Sequence, residues 1–556
     1  MRISRERKPK GSRPKLPLVG AIFVGLVAVV ILALVPSRGG GLRFFLAFLP
    51  LAVATVALAR GWWHRTPYDI GGRLWRQLSC RALALPGTPP GWYQRPFLGW
   101  CEGWLGEPRF AMGTFEDSVG VVGPTRVNKT AGIGVAQALL WGGPLISISQ
   151  TPLLFRATAA RRHQLATEHG GATLLYAPTE SGRVEGLTPI HFSPSSSTDS
   201  NEVKLRVASL VDAAHVGEGV TNDRHWRVHA SRILRGCFLA SAHHRSRPGD
   251  FTLVREWLAK ADLSEPIEIL RGLKSFDGDF WAAQLQGIQT KPATQERDSF
   301  FSAAETAVDA TNAPNVLRST TATDLDPEEF LLSRSTLYIV SPTEHQKSVA
   351  PLISMLVESI VHTAYRLHRE GRRGGRLGVQ LDDLANVAPL PQLESIISQG
   401  GGQGVNVFWS LQSLAQLRDH YGHEAAEAIW SATRCRIIFG GLADEQSLER
   451  LSALLKDEKV HSRSDSVGSD GRRHRGTHET YRRLLSVAQL REIPDGWALL
   501  LYHNREPRML REPLAQDRRQ LSRAMLPWTM AEQQVDAPPV LTVVSDDEDE
   551  ESQEAR

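Results

Sequence analysis

Residues 119–132 hold the feature that most restricts the fold of this chain: an apolar strand, a Gly-Pro turn and the start of a helix. The segment, VGVVGPTRVNKTAG, matches the nucleotide-triphosphate P-loop G-x-x-x-x-G-K-[ST], except that Asn128 occupies the second glycine position. In such a loop, backbone N–H groups surround the phosphates, the lysine neutralises them and the threonine hydroxyl ligates Mg²⁺. Asn tolerates a left-handed backbone better than other non-glycine residues, so the exchange is compatible with the loop. The predicted nucleotide-binding residues are Gly123, Pro124, Thr125, Arg126, Asn128, Lys129 and Thr130.

Short apolar runs alternate with helical segments along much of the chain, which is typical of an α/β fold with a parallel sheet covered by helices on both faces. The predicted helices include 130–141, 152–168 and 344–369. The predicted strands are 119–122, 145–149, 172–176, 336–340, 377–381, 404–409, 435–440 and 496–502.

The alternation is interrupted at residues 203–322, where apolar residues recur with helical spacing. This stretch predicts an all-α domain inserted into the nucleotide-binding domain, which then consists of residues 111–202 and 323–520. Residues 61–110 are rich in Trp and Pro and form a predicted juxtamembrane segment, to which the sequence assigns no structure.

The N-terminal sixty residues are patterned like a membrane anchor. Residues 1–15 are strongly basic, and residues 16–35 are twenty residues without a charge, enough to cross a bilayer core of roughly 30 Å. A second apolar run at 44–59 completes a predicted transmembrane hairpin. The positive-inside rule then places the bulk of this multi-pass protein on the cytoplasmic side of the membrane. The alternative is a signal peptide, but no small-residue cleavage site follows the first run.

Three further features are a polar segment, an acidic tail and the spacing of the cysteines. Residues 457–480 are polar and rich in Ser, Arg, His and Gly, which predicts a flexible excursion. Residues 521–556 predict an acidic, disordered tail that contains the run SDDEDEE. The four cysteines show no C-x-x-C spacing, so we expect structural roles for them and neither disulfides nor metal binding.

Acidic and amide side chains follow two of the predicted strands. LGVQLDD (377–383) is an apolar strand that ends in Asp382 and Asp383, where P-loop enzymes keep the acid that directs Mg²⁺. Gln412 follows the apolar strand of FWSLQSLAQL (408–417), where a side-chain amide can meet the γ-phosphate. The simpler interpretations are two acids at the end of a strand and a glutamine that caps a helix. The order of the P-loop, the two aspartates and Gln412 within one alternating sheet favours a nucleotide site instead.

The set GPTRVNKT, LDDLANVAPLPQLESIISQGGGQG, FWSLQSLAQL and FGGLADEQSLERLSALL resembles the type IV coupling proteins of conjugative DNA transfer, and actinobacterial members in particular, which are often Arg-rich. The resemblance covers nearly the whole chain, and its most specific block runs from Asp382 to Gln416. It implies a membrane-anchored, RecA-like hexameric ATPase. Such a protein uses ATP and Mg²⁺ to drive single-stranded DNA, with its covalently bound relaxase, towards a type IV secretion channel.

The resemblance also implies roles for individual residues. Lys129 would bind the β- and γ-phosphates, Thr130 would ligate Mg²⁺ and Asp382 would position that ion. Asp383 would take the place of the water-activating acid, and Gln412 would sense the γ-phosphate. The all-α insertion would help to recognise DNA or its relaxase, and the hairpin would dock on the secretion channel.

Three positions depart from the family pattern. Asn128 adds a side chain where the loop approaches phosphate, and Asp383 stands where Glu is usual. Gln403 stands where many relatives carry an Arg that could act as a finger in a neighbouring subunit, a contribution of roughly 10³–10⁵ in rate. Arg434 and Arg436 are alternative finger residues.

Two other functions stay open. The three departures favour a catalytically impaired adaptor of the same family, which would keep the fold, the anchor and nucleotide binding. A double-stranded DNA translocase is the other, although the all-α insertion and the block from Asp382 to Gln416 argue against it.

Two constellations carry weaker signals. His225 and His229 lie four residues apart on a predicted helix, a spacing that can bind a metal, but no third ligand is evident in the sequence. Basic residues within 366–376 are a possible DNA path, although a run of charge is more often a solvated face.

Overall fold

The computed structural model describes residues 94–102, 108–515 and Leu521, with gaps at 218–222, 293, 343, 373, 387–389, 456, 468–472, and 513, and without 516–520. All of these residues belong to one compact unit, residues 83–556. The predicted transmembrane hairpin lies outside the described residues, as does the predicted acidic tail apart from Leu521.

An eleven-stranded mixed sheet forms the centre of the unit, in the order β2-β1-β13-β12-β9-β3-β8-β7-β4-β6-β5. The seven strands from β9 to β5 are parallel to one another, and β12, β13, β1 and β2 continue the sheet antiparallel beyond β9. The strands are β1 (Phe97–Glu102), β2 (Pro108–Met112), β3 (Val119–Val122), β4 (Leu145–Ser149), β5 (Thr173–Tyr176), β6 (Thr336–Val340), β7 (Leu377–Leu381), β8 (Val405–Leu411), β9 (Cys435–Phe439), β10 (Asp457–Val467), β11 (Arg473–Arg483), β12 (Trp497–Tyr502) and β13 (Arg508–Arg511).

Helices cover the sheet and fill the long connection between β5 and β6. A π-helical turn, Lys129–Gly134, leads directly into the first α-helix. The α-helices are α1 (Val135–Leu140), α2 (Leu153–Thr167), α3 (Ser200–Ala213), α4 (Asp223–Ala242), α5 (Phe251–Ala259), α6 (Ser264–Gly272), α7 (Phe276–Gln289), α8 (Thr294–Ala307), α9 (Pro314–Arg318), α10 (Pro327–Leu332), α11 (Gln346–Arg369), α12 (Leu393–Gly400), α13 (Leu414–Tyr421), α14 (His423–Ala432), α15 (Glu445–Leu454) and α16 (Val487–Arg491).

The central strands are apolar because both of their faces are covered. Every residue of β3, β4, β6 and β7 is buried, and such continuous apolar runs are typical of parallel strands between two layers of helices. This confirms the predicted α/β class. The sheet is mixed, however, and the predicted strand at 496–502 corresponds to β12, which pairs with β9 in the antiparallel sense.

Side-chain caps fix where several helices begin. Asp199, Asp250 and Asp326 accept hydrogen bonds from backbone N–H groups at the starts of α3, α5 and α10. Such caps satisfy amide groups that have no partner inside the helix. The helices between β5 and β6 run from Ser200 to Leu332, a little beyond both ends of the predicted insertion at 203–322.

The predicted start of the sheet domain at residue 111 falls inside β2, and β1 lies wholly within the segment to which no structure was assigned. The strand β1 joins the sheet through β13, almost at the other end of the described chain. Its pairing with β2 is irregular between Phe97 and Gly99, where Gly99 has a φ of 137°. An irregular strand whose partner is distant in sequence leaves little local signal, which explains why β1 was not predicted.

The predicted flexible excursion at 457–480 is wrong. The strands β10 and β11 pair along their whole length, from Asp457 opposite Arg483 to Val467 opposite Arg473, as a separate antiparallel ribbon. The polar composition hid this ribbon, because a two-stranded element outside the main sheet needs no run of apolar residues. Backbone pairing holds it together instead.

Helix α11 is the core helix of the described unit. Within the described residues, its segment Ser348–Arg369 is the one stretch of helix long and apolar enough to cross a membrane. However, 78% of its apolar window is buried inside the fold, and the helix packs against α3 and α10. The burial accounts for its apolar character without a membrane.

Candidate nucleotide-binding site

The candidate site lies at the carboxyl edge of the parallel strands. The P-loop follows β3, the two aspartates follow β7, and Gln412 follows β8, which lies between them in the sheet. Since parallel strands end at the same edge, residues far apart in sequence meet here. The hydroxyl of Thr130 and the carboxylate of Asp382, which are 252 positions apart, are in direct contact.

The backbone of the P-loop depends on Gly123 and Asn128. A Cβ atom on Gly123 would lie 2.7 Å from the Cβ of Phe439, so a larger residue would collide with β9. Asn128 has φ 67° and ψ 24°, the left-handed conformation that Asn tolerates. Its carbonyl oxygen accepts a 2.8 Å hydrogen bond from the N–H of Gly132, which begins the helical turn. The loop therefore keeps its turn without a second glycine.

The remaining loop residues differ in exposure. Pro124 is half-buried, whereas Thr125 and Arg126 are exposed at the tip of the loop. Arg126 also has a left-handed backbone, with φ 66°. Two residues with positive φ close together turn the chain sharply towards Lys129.

The ammonium group of Lys129 lies within the loop. Its Nζ donates a hydrogen bond of 2.7 Å to the carbonyl oxygen of Pro124 and another to that of Gly123. Partial burial lowers the pKa of Lys129, while the negative charges of Asp383 and Asp382 oppose this shift. The lysine is thus a cation held close to two carboxylates, at the place where phosphate would enter.

Three hydroxyl groups surround the carboxylate of Asp382. The Oγ1 of Thr130 donates to it at 2.7 Å, and the Oγ atoms of Ser410 and Ser149 lie at 3.1 and 3.3 Å. Burial raises the pKa of Asp382, and the neighbouring charge of Asp383 adds to this, while the hydroxyl groups act in the opposite direction. Carboxylate and hydroxyl oxygens are the ligands that Mg²⁺ prefers, so Thr130 and Asp382 fit this ion.

Asp383 and Gln412 form a second pair beside the first. The Nε2 of Gln412 donates to Oδ2 of Asp383 at 2.9 Å, and the N–H of Asp383 donates to the Oγ of Ser410 at 2.9 Å. Asp383 has a φ of 61°, an uncommon backbone for a residue other than glycine. Such conformations cluster at functional sites. The pair places a carboxylate and an amide side by side next to the P-loop.

Ser149, Ser410 and Gln416 were not predicted as site residues. The two serines contact Asp382, and the Oε1 of Gln416 accepts a 3.1 Å hydrogen bond from the N–H of Gln412. A signal was present for the two serines, because Ser149 is the last residue of β4 and Ser410 is the last but one of β8. Polar residues at the carboxyl ends of apolar parallel strands are expected to face one site.

The residues considered as arginine fingers lie away from this edge. Gln403 and Arg434 precede β8 and β9, at the amino edge of the sheet. Arg436 lies within β9, and its Nε donates to the carbonyl oxygens of Trp430 and Thr433. None of the three reaches the chain's own P-loop, so any finger action would take place in another subunit.

The structure defines the neighbours of the histidine pair His225 and His229. The structure brings a possible third ligand to the histidine pair, since Oε1 of Glu296 lies 3.7 Å from Nε2 of His225. His229, however, stacks on Phe300 at 3.8 Å between ring centroids, and burial lowers the pKa of His229 to about 4.

Three of the basic residues within 366–376 make other contacts. Arg366 and Arg372 both form ion pairs with Glu328, at 2.7 and 2.5 Å. Arg376 donates to the side-chain oxygen of Asn406 at 2.8 Å. These contacts give the basic run a structural role and weaken the interpretation as a DNA path.

Comparison with known proteins gives matches over most of the described unit. Residues 376–495 match the family model described as the TraM recognition site of TraD and TraG. The conjugal transfer protein TraG of Agrobacterium fabrum (strain C58 / ATCC 33970) is 22% identical over 357 residues, which cover 63% of this chain and 52% of TraG. The match therefore spans about half the length of that relative.

Solved structures show the same fold. The unbound bacterial conjugative coupling protein TrwBdeltaN70 is 18% identical, with a TM-score of 0.52 over 72% of this chain and 85% of that one. The plasmid coupling protein TrwB in complex with ADP and Mg²⁺ is also 18% identical, with a TM-score of 0.51 over 73% of this chain and 87% of that one. The shared architecture is the mixed α/β sheet with its helices.

Proposed function

This chain belongs to the type IV coupling protein family, and from that premise we propose that it binds ATP with Mg²⁺ and hydrolyses it. We propose further that hydrolysis drives single-stranded DNA, with its relaxase, towards a type IV secretion channel. In this proposal the chain is anchored in the bacterial plasma membrane by the hairpin at 16–35 and 44–59, with most of its residues in the cytoplasm.

The observation that carries the proposal is the contact between the P-loop and the strand-end acids. Thr130 bonds directly to Asp382, and Gln412 bonds directly to Asp383, within one edge of the sheet. A P-loop-like motif that arose by chance would not be expected to contact a carboxylate 252 positions away. The TrwB complex with ADP and Mg²⁺ supports the choice of ligand.

Each residue then has a role that its surroundings permit. Lys129 would leave the loop carbonyls and neutralise the β- and γ-phosphates, while N–H groups of residues 123–130 would surround them. Thr130 and Asp382 would hold Mg²⁺, which supplies positive charge that stabilises the phosphoryl oxygens. Asp383 would accept a proton from the attacking water, and Gln412 would hold the Asp383 carboxylate and contact the γ-phosphate.

The proposed assembly is a homo-hexamer with DNA in its central pore. Contacts would be mainly to phosphates, so binding would weaken as salt concentration rises. The proposed partners are the relaxase and components of the secretion channel. The position of Gln403 and Arg434 at the amino edge is compatible with action on a neighbouring subunit.

We expect single-stranded DNA to stimulate ATP hydrolysis by the full-length chain purified in detergent. The reason is that a translocating motor couples turnover to its track. The measurement is the steady-state hydrolysis rate with no DNA, with single-stranded DNA and with double-stranded DNA of equal nucleotide concentration. Stimulation by duplex DNA alone would favour the double-stranded DNA translocase, and equal rates in all three conditions would contradict a DNA motor.

A second candidate, the catalytically impaired adaptor, is favoured by specific residues. Asp383 is one methylene shorter than the usual Glu and is already bonded to Gln412. Gln403 lacks the charge of an arginine finger. Nucleotide would then bind and organise the domain without rapid turnover.

The triple variant Asn128→Gly, Asp383→Glu, Gln403→Arg separates the two candidates. If the chain is an adaptor, we expect the variant to hydrolyse ATP at least 10³-fold faster than the wild type, since a restored finger alone is worth roughly 10³–10⁵. The matched control is Gln403→Asn, which restores no charge. Robust wild-type turnover with no gain in the triple variant would contradict the adaptor.

A further inference from the structure

A second polar cluster lies at the amino end of the P-loop strand, opposite the nucleotide site. Asp117 precedes β3, Cys435 begins β9 and His503 follows β12, and these three strands are neighbours in the sheet. A carboxylate oxygen, a thiol sulfur and an imidazole nitrogen of these residues lie within 4.8 Å of one another. Among the residues that the structure describes, this is the one set of three or more His, Cys, Asp or Glu side chains with that spacing.

The three residues combine a buried pair with an accessible partner. Asp117 and Cys435 are 1% and 0% exposed, whereas the side chain of His503 is 28% exposed. An ion could therefore reach the cluster from the His503 side, and a water molecule could complete its coordination there. The buried pair would shield the remaining sides.

Neighbouring groups hold the Asp117 carboxylate in place. Its Oδ2 accepts hydrogen bonds from the N–H of Thr114 at 2.6 Å and from the hydroxyl of Tyr502 at 2.9 Å. Its Oδ1 lies 2.7 Å from Nε2 of His503. Hydrogen bonds such as those from Thr114 and Tyr502 orient the ligands at metal sites. They leave Oδ1 directed towards the imidazole and available to an ion.

We propose that Asp117, Cys435 and His503 bind a zinc ion, with water as the fourth ligand. A set of sulfur, nitrogen and oxygen donors suits Zn²⁺, whereas Mg²⁺ and Ca²⁺ take oxygen ligands. With bonds of about 2.0–2.3 Å, tetrahedral ligand atoms lie about 3.3–3.8 Å apart. The contact between Asp117 and His503 lengthens by less than about 1 Å to admit the ion, a shift that the exposed imidazole can make.

Binding exchanges a proton for the metal. The Cys435 thiol loses its proton to solvent, and the thiolate sulfur ligates Zn²⁺ together with the neutral imidazole and the carboxylate. No electron is transferred. The ion would join β12, β9 and β3 at the end of the sheet remote from the phosphates, and it would thereby stabilise the strand that carries the P-loop.

The test uses Co²⁺ as a spectroscopic substitute for Zn²⁺, added to the full-length chain in detergent after chelator treatment. We expect one equivalent to produce a sulfur-to-cobalt charge-transfer band in the near ultraviolet, and Zn²⁺ to abolish it. Cys435→Ser should remove the band. Cys237→Ser, at a second buried cysteine among the described residues, should retain it. A wild-type chain without the band, or a band that survives Cys435→Ser, would overturn the proposal.

A variant at the exposed ligand, His503, tests the site even if the Cys435 variant does not fold. We expect His503→Gln to unfold cooperatively like the wild type but to bind Zn²⁺ on the order of 100-fold more weakly, in competition with a chromophoric chelator. The rise in Tm that Zn²⁺ gives the wild type should be lost. His423→Gln, at an exposed histidine elsewhere, is the matched control. Equal zinc affinity of His503→Gln and the wild type would overturn the proposed site.

Discussion

Replacement of Lys129 by alanine is expected to lower ATP hydrolysis by about 10²–10³-fold, the usual cost of removing a charge-stabilising group from a catalytic site. The ammonium group sits in a partly buried loop, where electrostatic interactions are stronger than in water. It also balances the charges of Asp382 and Asp383. The measurement is the steady-state rate of the full-length chain at saturating ATP, with single-stranded DNA present.

The matched control for this prediction is Lys204→Ala, since Lys204 is an exposed lysine on α3. It should leave the rate unchanged. Thermal unfolding of the Lys129 variant is a second check, because the loss of two hydrogen bonds to loop carbonyls removes only about 1–3 kcal/mol. Identical hydrolysis rates for the wild type and Lys129→Ala would contradict both the site and the proposed ATPase activity.

Asp382→Asn is expected to lower hydrolysis at least as much as Lys129→Ala while it raises Tm in the absence of Mg²⁺. Activity is lost because an amide cannot supply the charge that positions the ion. Stability is gained because burial raises the pKa of Asp382, so the ionised carboxylate works against the folded state at neutral pH. The hydroxyl groups of Thr130 and Ser410 can rotate to accept hydrogen bonds from the new amide.

The pH dependence of this gain has a definite sign. The folded protein binds the Asp382 proton more tightly than the unfolded chain does, so the destabilisation is fully present above the raised pKa. It disappears below the unfolded pKa of 3.8. The difference in Tm between Asp382→Asn and the wild type should therefore shrink as the pH is lowered from neutral towards 4. The control Asp419→Asn, at an exposed residue, should show no such trend. A lower Tm for Asp382→Asn at neutral pH would contradict this account.

Burial on both faces made the central strands predictable. The predicted strands 119–122, 145–149, 336–340 and 377–381 coincide with β3, β4, β6 and β7, because a strand covered on both sides is largely apolar. The order of the P-loop, the acids and Gln412 along one alternating sheet had favoured a nucleotide site, and the parallel strands bring their carboxyl ends to one edge.

Elements without such a signal were missed. The strands β1 and β2 depend on β13, and the ribbon of β10 and β11 depends on backbone pairing between polar residues. Individual contacts were hidden as well, since nothing in the sequence indicates that Cys435 lies beside Asp117 and His503. These contacts are set by the order of strands in the sheet, which a single sequence does not specify.

The position of β3 between β8 and β9 has a consequence for biosynthesis. Both neighbours of the P-loop strand lie after the helical insertion, so a nascent chain displays β3 and β4 long before their partners exist. Pairing between such distant segments is slow, and unpaired apolar strands are prone to aggregation. The nucleotide pocket is therefore among the last parts of the domain to be assembled. In the proposed function, nucleotide binds only after β8 and β9 have been synthesised and have paired with β3.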